Sequence, residues 1–260
     1  MTQLIWLSDL HFSASGPVFG IDTHARILAA IDYINRHHAT AACCVISGDL
    51  VNRGGEKDYA DLARILAAMR IPVFPMVGNH DNRELLRKHF SLPADTMSGF
   101  IQYQLNVGDH SILCLDTQHE GSDAGAFCAE RADWLDTALS KATRPTLIFM
   151  HHPPLRLGLP MQDRDRLQDG DAFLSRLKCH PQVAYLCCGH VHRPISGVVE
   201  GIPFSTLRSA LYQAPPPQPH WTWDTFSQAK EAPQLGVLTL SGSRVTIEFN
   251  EFCPAHGGPN

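Results

Sequence analysis

Five short apolar runs in this chain each end in a small group of polar residues. The runs cover residues 4–7, 43–46, 73–77, 147–150 and 183–188. The polar groups that follow them are Asp9-x-His11, Gly48-Asp49, Gly78-Asn79-His80-Asp81, His151-His152 and Gly189-His190-x-His192. Apolar runs of this length predict buried β-strands, and a strand carries the residues that follow it to one edge of its sheet. We therefore expect the five polar groups to converge on one site.

Helical patterns separate the first three runs. One pattern predicts a helix with Thr23 as its N-cap and these residues on one face: Ile27, Leu28, Ile31 and Ile34. Two more helices are predicted over residues 59–69 and around residues 130–140. The resulting β-α-β-α-β order predicts parallel strands. Further strand patterns cover residues 101–107, 111–116, 194–199, 235–240 and 244–249, and the first two of these predict a hairpin.

The composition is typical of a globular protein with one main domain. The 260 residues are 44% hydrophobic and 18% charged, with a formal net charge of −5. This balance lacks the basic excess that attracts a protein to a phosphate backbone, so we expect no nucleic-acid partner. No apolar run approaches the roughly 20 residues that a membrane span requires, so we also expect no membrane partner.

The eight cysteines favour a reducing, cytoplasmic location. They form no C-x-x-C pair, and the couples Cys43-Cys44 and Cys187-Cys188 lie inside predicted strands. Because neighbours in a strand point to opposite faces, each couple is interpreted as buried reduced thiols. The N-terminus enters a strand directly, without the basic and apolar regions of a signal peptide.

The polar groups contain residue types that bind divalent cations. Asp9 and His11 are two positions apart, so a strand-like backbone directs both side chains to the same face. A glycine precedes Asp49, Asn79 and His190, which allows the tight backbone turn that a ligand site requires. Asp9-x-His11 alone would indicate a surface turn equally well, but the four companion groups favour a metal site.

The order of these groups resembles that of the calcineurin-like metallophosphoesterase superfamily. Its blocks D-x-H, GD, GNH[D/E], H and GH-x-H all occur in order between Asp9 and His192. The segment HHPP at residues 151–154 resembles the branch of class III cyclic-nucleotide phosphodiesterases and glycerophosphodiesterases. The resemblance implies an α/β fold, a four-layer αββα sandwich of two mixed β-sheets flanked by helices. It fades after about residue 205, so we divide the chain into a catalytic domain, residues 1–205, and a C-terminal region, residues 206–260.

The resemblance also implies two divalent metal ions per chain. The first ion would be bound by Asp9, His11, Asp49 and His192. The second would be bound by Asp49, Asn79, His151 and His190, so that Asp49 bridges the two. Mixed nitrogen and oxygen ligands suit Fe, Mn, Co or Zn, whereas Ca²⁺ and Mg²⁺ call for oxygen ligands. His152 follows a ligand and is interpreted as a residue that supports the site.

Charge counting predicts an anionic substrate. Two divalent ions carry four positive charges, and Asp9, Asp49 and a bridging hydroxide offset three of them. Such a centre favours phosphate esters, with metal-bound hydroxide attacking phosphorus. The resemblance implies that His80 is not a metal ligand. Placed beside the phosphate, His80 could bind a phosphoryl oxygen, as Asn79 could, or protonate the leaving alkoxide as a general acid, or it could instead only support a ligand. Asn52 is a candidate for orienting His80.

The expected substrate is a small phosphodiester, either a glycerophosphodiester or a 3′,5′-cyclic nucleotide. A phosphomonoesterase or protein phosphatase is the alternative, because residues 48–54 are similar to the corresponding phosphatase segment. A non-catalytic, metal-stabilised binding scaffold is a remote alternative, since no predicted ligand is missing.

The C-terminal region departs from the pattern of the branch. Relatives often carry a Gly-Thr-x-His-Gln segment at the mouth of the site, whereas Tyr212 stands here in place of the histidine. A proline-rich stretch, followed by Trp221 and Trp223, predicts an irregular arm over residues 215–223. We expect this arm to act as a lid or a dimer contact, the last strands to complete a sheet, and the protein to form a homodimer or a larger homo-oligomer.

Overall fold

Two β-sheets form the centre of the computed structural model, which describes residues 1–218 and 220–255. The first sheet contains five strands in the order β11-β10-β1-β2-β3. Their bounds are β1 Thr2–Leu7, β2 Cys44–Ile46, β3 Val73–Pro75, β10 Gln234–Ser241 and β11 Arg244–Glu251. The second sheet contains six strands in the order β4-β5-β6-β7-β9-β8. Their bounds are β4 Tyr103–Val107, β5 His110–Leu115, β6 Thr146–Met150, β7 Val183–Cys188, β8 Ser196–Val199 and β9 Ile202–Thr206.

All five apolar runs that precede the polar groups form strands, as predicted. Strands β1, β2 and β3 are parallel neighbours, with Ile5 opposite Cys44 and Cys44 opposite Val73. Strands β6 and β7 are parallel neighbours in the second sheet. The predicted hairpin is β4 and β5, which pair antiparallel. The carboxyl ends of the strands before the polar groups therefore lie on the same side of the molecule.

Within the described part of the chain, five α-helices cover the sheets. Their bounds are α1 Thr23–His37, α2 Glu56–Leu66, α3 Arg83–His89, α4 Ala129–Lys141 and α5 Gly170–Leu177. Helix α1 begins at Thr23, but the predicted N-cap was wrong by one residue, because the Asp22 side chain accepts the Ala25 N–H at 3.0 Å and is the N-cap. Leu28, predicted on the buried face, is 43% exposed.

The four predicted layers are present. Residues of α1 and α2 pack with the first sheet, and this core continues to one face of the second sheet through Leu147 and Phe149. The opposite face of β6 presents Ile148 and Met150 to a second core that includes residues of α4 and α5. This alternation follows from the two-residue period of a strand buried on both faces.

Residues 234–251 complete the first sheet. Strand β10 pairs antiparallel with β1 over five residues, and β11 pairs with β10. The eight cysteines are all free thiols, and the two predicted couples are buried. Among the described residues, no helix has the length and apolar character needed to cross a membrane.

Trp6 connects the two sheets. Its fully buried indole lies perpendicular to the Phe149 ring of β6, with ring centroids 5.8 Å apart. The indole Nε1–H donates to Ser47 Oγ at 2.8 Å, so its one polar atom is satisfied. Trp6 therefore contributes both apolar burial and a hydrogen bond at the base of the polar groups.

Trp6→Ala should lower the free energy of unfolding by about 3–5 kcal/mol, because it removes a large buried side chain from a well-packed core. Urea denaturation monitored by far-UV circular dichroism measures the change. Val198→Ala is the control, since Val198 is 69% exposed and its truncation should change stability by no more than about 0.5 kcal/mol. Equal effects of the two variants would contradict the role of Trp6 between the sheets.

Candidate metal centre

The polar groups lie in the turns that directly follow the strands. Asp9 and His11 follow β1, Asp49 follows β2, and Asn79 and His80 follow β3. From the second sheet, His151 follows β6, and His190 and His192 follow β7. The turns are joined by main-chain hydrogen bonds: Asp9 N–H donates to Gly48 O at 3.0 Å and His11 N–H donates to Asp49 O at 2.9 Å. The His190 N–H donates to Asp9 Oδ1 at 3.1 Å, which connects the two sheets.

Four of the predicted ligands form a first cluster of donor atoms. These are the buried residues Asp9, His11, Asp49 and His192. His11 Nε2 lies 3.1 Å from His192 Nε2 and 3.5 Å from Asp49 Oδ2. His192 Nε2 lies 3.2 Å from Asp9 Oδ1. Asp49 also belongs to the second cluster of donors.

The second cluster is centred on the amide oxygen of Asn79. Asn79 Oδ1 lies 3.2 Å from His151 Nε2 and 3.1 Å from His190 Nδ1. His151 Nε2 in turn lies 3.4 Å from Asp49 Oδ2. The Asp49 carboxylate therefore contacts both clusters.

For His192 and His151, the hydrogen bond made at Nδ1 determines the direction of the lone pair on Nε2. His192 Nδ1 lies 2.9 Å from the carbonyl oxygen of Tyr212, so Nδ1 carries the proton of the neutral ring. His151 Nδ1 lies 2.9 Å from the carbonyl oxygen of Ser47, with the same consequence. In the neutral rings the Nε2 lone pairs then face carboxylate oxygens, an arrangement that a cation between them would stabilise. Ligand atoms about 2.1 Å from one cation are themselves about 3.0–3.4 Å apart, which matches the spacings in both clusters.

The protonation of the cluster histidines fits the same interpretation. Burial lowers the pKa of His11 and of His190 to about 3, so both rings are neutral at neutral pH. Burial also acts to lower the pKa of His151, but the Asp49 carboxylate outweighs it and raises this pKa to about 9. Since a ligating imidazole is neutral, a cation at His151 Nε2 must displace that proton.

His152 lies next to the second cluster. Its Nδ1 lies 2.8 Å from Thr117 Oγ1, and its Nε2 lies 3.1 Å from the carbonyl oxygen of Asp123. The His152 and His190 rings are 4.8 Å apart. One donor atom of His152 lies within 4.8 Å of donor atoms of His151 and His190. Both nitrogens of His152 are nevertheless engaged by other groups, which suits a supporting position.

His80 lies at the opening of the site and beside the first cluster. Its ring is 4.8 Å from the His11 ring, and its N–H donates to Asp49 Oδ1 at 3.0 Å. His80 Nδ1 lies 2.8 Å from Asn52 O, so the predicted contact with Asn52 is made by the main-chain carbonyl and not by the side chain. Burial acts to lower the pKa of His80, but Asp49 and the Asn52 carbonyl outweigh it and raise the pKa above its usual value.

Asp81 is a site residue to which the sequence pattern assigned no role. Its buried carboxylate accepts the N–H groups of Leu50 at 3.1 Å and Gly78 at 2.8 Å, and the Tyr59 hydroxyl at 2.9 Å. These bonds join the turn after β2 to the turn after β3. Burial, together with the charge of Asp49, raises the pKa of Asp81 to about 7. The acid that follows Asn79-His80 is therefore the residue that ties two ligand-bearing turns together.

A cleft with about 620 Å³ of empty space, partly open to solvent, lies over the clusters. One wall contains the rings of Tyr212, Trp223 and Phe226. The polar side chains of Asp123, Gln162 and Asp165 also line the cleft. Residues from the loop 155–169, the Tyr212 segment and the end of the arm all line this cleft, although Pro219 of the arm lies outside the described residues.

Three comparisons with known proteins agree with this geometry. Residues 2–194 match the family described as Calcineurin-like phosphoesterase. A probable cyclic nucleotide phosphodiesterase of Rhodopseudomonas palustris is 40% identical over 96% of this chain and 92% of its own length. The glycerophosphodiester phosphodiesterase GpdQ of Enterobacter lignolyticus is 28% identical over 82% of this chain and 78% of its own length.

A solved structure gives the same fold at low identity. The dimetal phosphatase of Danio rerio superposes with a TM-score of 0.67 at 16% identity, covering 97% of each chain. The match of residues 2–194 contains every predicted ligand. Together with the 40% identity to the Rhodopseudomonas protein, it establishes that the chain belongs to the calcineurin-like phosphoesterase family.

Proposed function

We propose that the protein is a dinuclear-metal phosphodiesterase that hydrolyses small phosphodiesters. The observation that carries this proposal is the pair of donor clusters that share Asp49 at the floor of a cleft. Both curated relatives are phosphodiesterases by name, one of cyclic nucleotides and one of glycerophosphodiesters. These two groups of diesters are therefore the proposed substrates.

The proposed ligand set follows the two clusters. One ion would be held by Asp9, His11, Asp49 and His192, and the other by Asp49, Asn79, His151 and His190. The mixed donors favour Fe, Mn, Co or Zn. When bound, two such ions supply a hydroxide nucleophile near neutral pH and polarise the phosphoryl oxygens.

The side chains of the protein bind the substrate and move a proton. His80 Nδ1 donates to the Asn52 carbonyl, which orients the ring and leaves Nε2 as the second donor of the imidazolium. The raised pKa of His80 favours this charged form. In this proposal, the Nε2–H of His80 gives its proton to the leaving alkoxide. The Asn79 amide donates a hydrogen bond to a phosphoryl oxygen.

A homodimer or larger homo-oligomer and a cytoplasmic location complete the proposal. The eight free cysteines, four of them in buried couples, suit a reducing compartment. Trp223 is 59% exposed at the end of the arm, which supports a role for the arm as a contact or a lid.

A comparison of diesters with monoesters tests the proposed function. A monoester carries nearly two negative charges at neutral pH, so a positive centre alone favours it over a diester. The cleft offsets this preference, since it has room for the second alcohol and places Asp123 and Asp165 near the substrate. We expect metal-reconstituted protein to show a higher kcat/KM for bis-p-nitrophenyl phosphate than for p-nitrophenyl phosphate. Chelated protein is the control, and a tenfold preference for the monoester would favour a phosphatase instead.

His80→Ala should lower kcat by roughly 10² to 10⁴, the range of a positioned general acid, without loss of metal. The loss should be smaller for a p-nitrophenyl diester than for an alkyl diester, because p-nitrophenolate leaves with little protonation. Steady-state kinetics on both diesters measures the difference. His24→Ala, at an exposed histidine away from the cleft, should leave both rates unchanged. Equal losses on the two diesters would remove the acid role from His80.

Gly78→Ala should abolish tight binding of two metal ions. A Cβ at residue 78 would lie 2.2 Å from Asp49 Oδ1 and 2.7 Å from His151 Nε2, so two proposed ligands must move. Metal analysis after gel filtration measures the stoichiometry. In the control Gly99→Ala, the added Cβ meets nothing within 4 Å but the backbone has φ +79°, so stability falls while the metal content stays the same. Two tightly held ions in Gly78→Ala would contradict the proposed ligand set.

A further inference from the structure

The ring wall of the cleft, defined as Tyr212, Phe226 and Trp223, has a composition that the proposed hydrolysis alone does not require. Resting on the proposed function, we infer that this ring wall stacks against the planar base of a nucleoside phosphodiester. The inference makes 3′,5′-cyclic nucleotides the preferred substrate class over glycerophosphodiesters.

The rings form a path that leads outward from the first donor cluster. The Tyr212 ring lies 4.3 Å from the His192 ring and 5.6 Å from the His11 ring. The Phe226 ring is 6.0 Å from Tyr212, and the Trp223 ring is 5.5 Å from Phe226. A phosphate over the clusters would therefore lie beside Tyr212, with the Phe226 and Trp223 rings farther out in the direction that a larger substituent would take.

The exposure of the outer rings also points to a ligand. Five large hydrophobic side chains are exposed among the described residues. Two of them are Trp223 of the ring wall, at 59%, and Phe19, at 57%. Phe19 packs on Tyr212 with ring centroids 4.8 Å apart. Scattered exposed apolar residues are ordinary on a protein surface, but contiguous rings that border a cleft mark a binding surface.

The chemistry of the wall discriminates between the two proposed groups of diesters. Stacking a base on an aromatic side chain strengthens binding by roughly 5- to 150-fold per base. A glycerol group has no ring to stack, and its hydroxyls would lose water against an apolar surface without gaining partners. The ring wall therefore favours a nucleoside over a glycerol moiety.

An ammonium group is the other ligand that aromatic rings attract, since a cation can sit over a ring face. An effective ammonium site would place a carboxylate next to the rings. Outside the donor clusters, the acids that line the cleft are Asp123 and Asp165, and Asp123 Oδ1 is 3.4 Å from Asn79 Nδ2, in the second cluster. The rings adjoin the first cluster, so the separation favours a neutral base over a choline or ethanolamine group.

Two leucine substitutions test the inference while keeping apolar bulk. In metal-reconstituted Trp223→Leu/Phe226→Leu, kcat/KM for 3′,5′-cyclic AMP should fall roughly 10- to 100-fold, mainly through KM, because two stacking surfaces are lost. For glycerophosphoethanolamine and glycerophosphocholine the change should stay below about threefold. The conservative variant Trp223→Phe/Phe226→Tyr should recover most of the activity on the cyclic nucleotide.

Trp221→Leu is the matched control. Trp221 belongs to the same arm, with its ring 6.3 Å from Phe226, but it does not line the cleft. Its substitution should leave the kinetics on 3′,5′-cyclic AMP unchanged. Thermal unfolding of all variants reports any general loss of structure.

Binding of the product separates this inference from the proposed function. The dissociation constant of adenosine 5′-monophosphate, measured by equilibrium dialysis, should rise at least about tenfold in the leucine variant, while that of glycerol 3-phosphate stays constant. If wild-type protein hydrolyses no diester, the proposed function is wrong. The dialysis result then tests by itself whether the ring wall stacks against a base. Equal losses for all diesters, a selective loss for glycerophosphocholine, or unchanged nucleotide binding would overturn the stacking role.

Discussion

The buried carboxylate of Asp49 is the group around which the two sheets meet. Its Oδ1 accepts the His80 N–H at 3.0 Å, and its Oδ2 lies 3.5 Å from His11 and 3.4 Å from His151. Removing a carboxylate from water costs several kcal/mol unless partners compensate it. The neighbouring turns provide these partners, and they hold the pKa of Asp49 well below its usual value although burial alone would raise it. The convergence of strand ends is thus also an electrostatic requirement of the fold.

The backbone around this carboxylate is held in an uncommon conformation. Seven described residues other than glycine have positive φ, and five of them are predicted ligands: Asp9, His11, Asp49, His190 and His192. A left-handed residue costs roughly 1–2 kcal/mol for an ordinary side chain, so these turns persist only because the buried strands before them fix both ends. Because the strained turns are fixed in this way, their donor atoms are already in place before any ligand binds. The stability of the four layers therefore offsets the cost of preparing the site.

The sequence predicted the ligand-bearing strands because each is a compact apolar run that ends at a turn signal. It did not reveal α3, in which Leu86 is the only buried residue among seven, or β9, in which Pro203 breaks the strand pattern. Asp81 was given no role for a different reason. Besides the nearby Gly78 N–H, its partners are the Leu50 N–H and the Tyr59 hydroxyl, which are 31 and 22 residues away, and such bonds have no sequence signal. The positions of the predicted ligands follow from the fold, while their roles remain predictions.

The donor clusters and the ring wall come from different parts of the chain. The family match ends at residue 194, after the last predicted ligand, whereas all three rings of the wall lie between residues 212 and 226. The two parts are joined at one residue, because the Tyr212 carbonyl accepts from His192 while the Tyr212 ring begins the wall. A change of ring side chain at residue 212 leaves that main-chain bond intact. Substrate preference can therefore change in this region while the donor set, which the fold requires, stays the same.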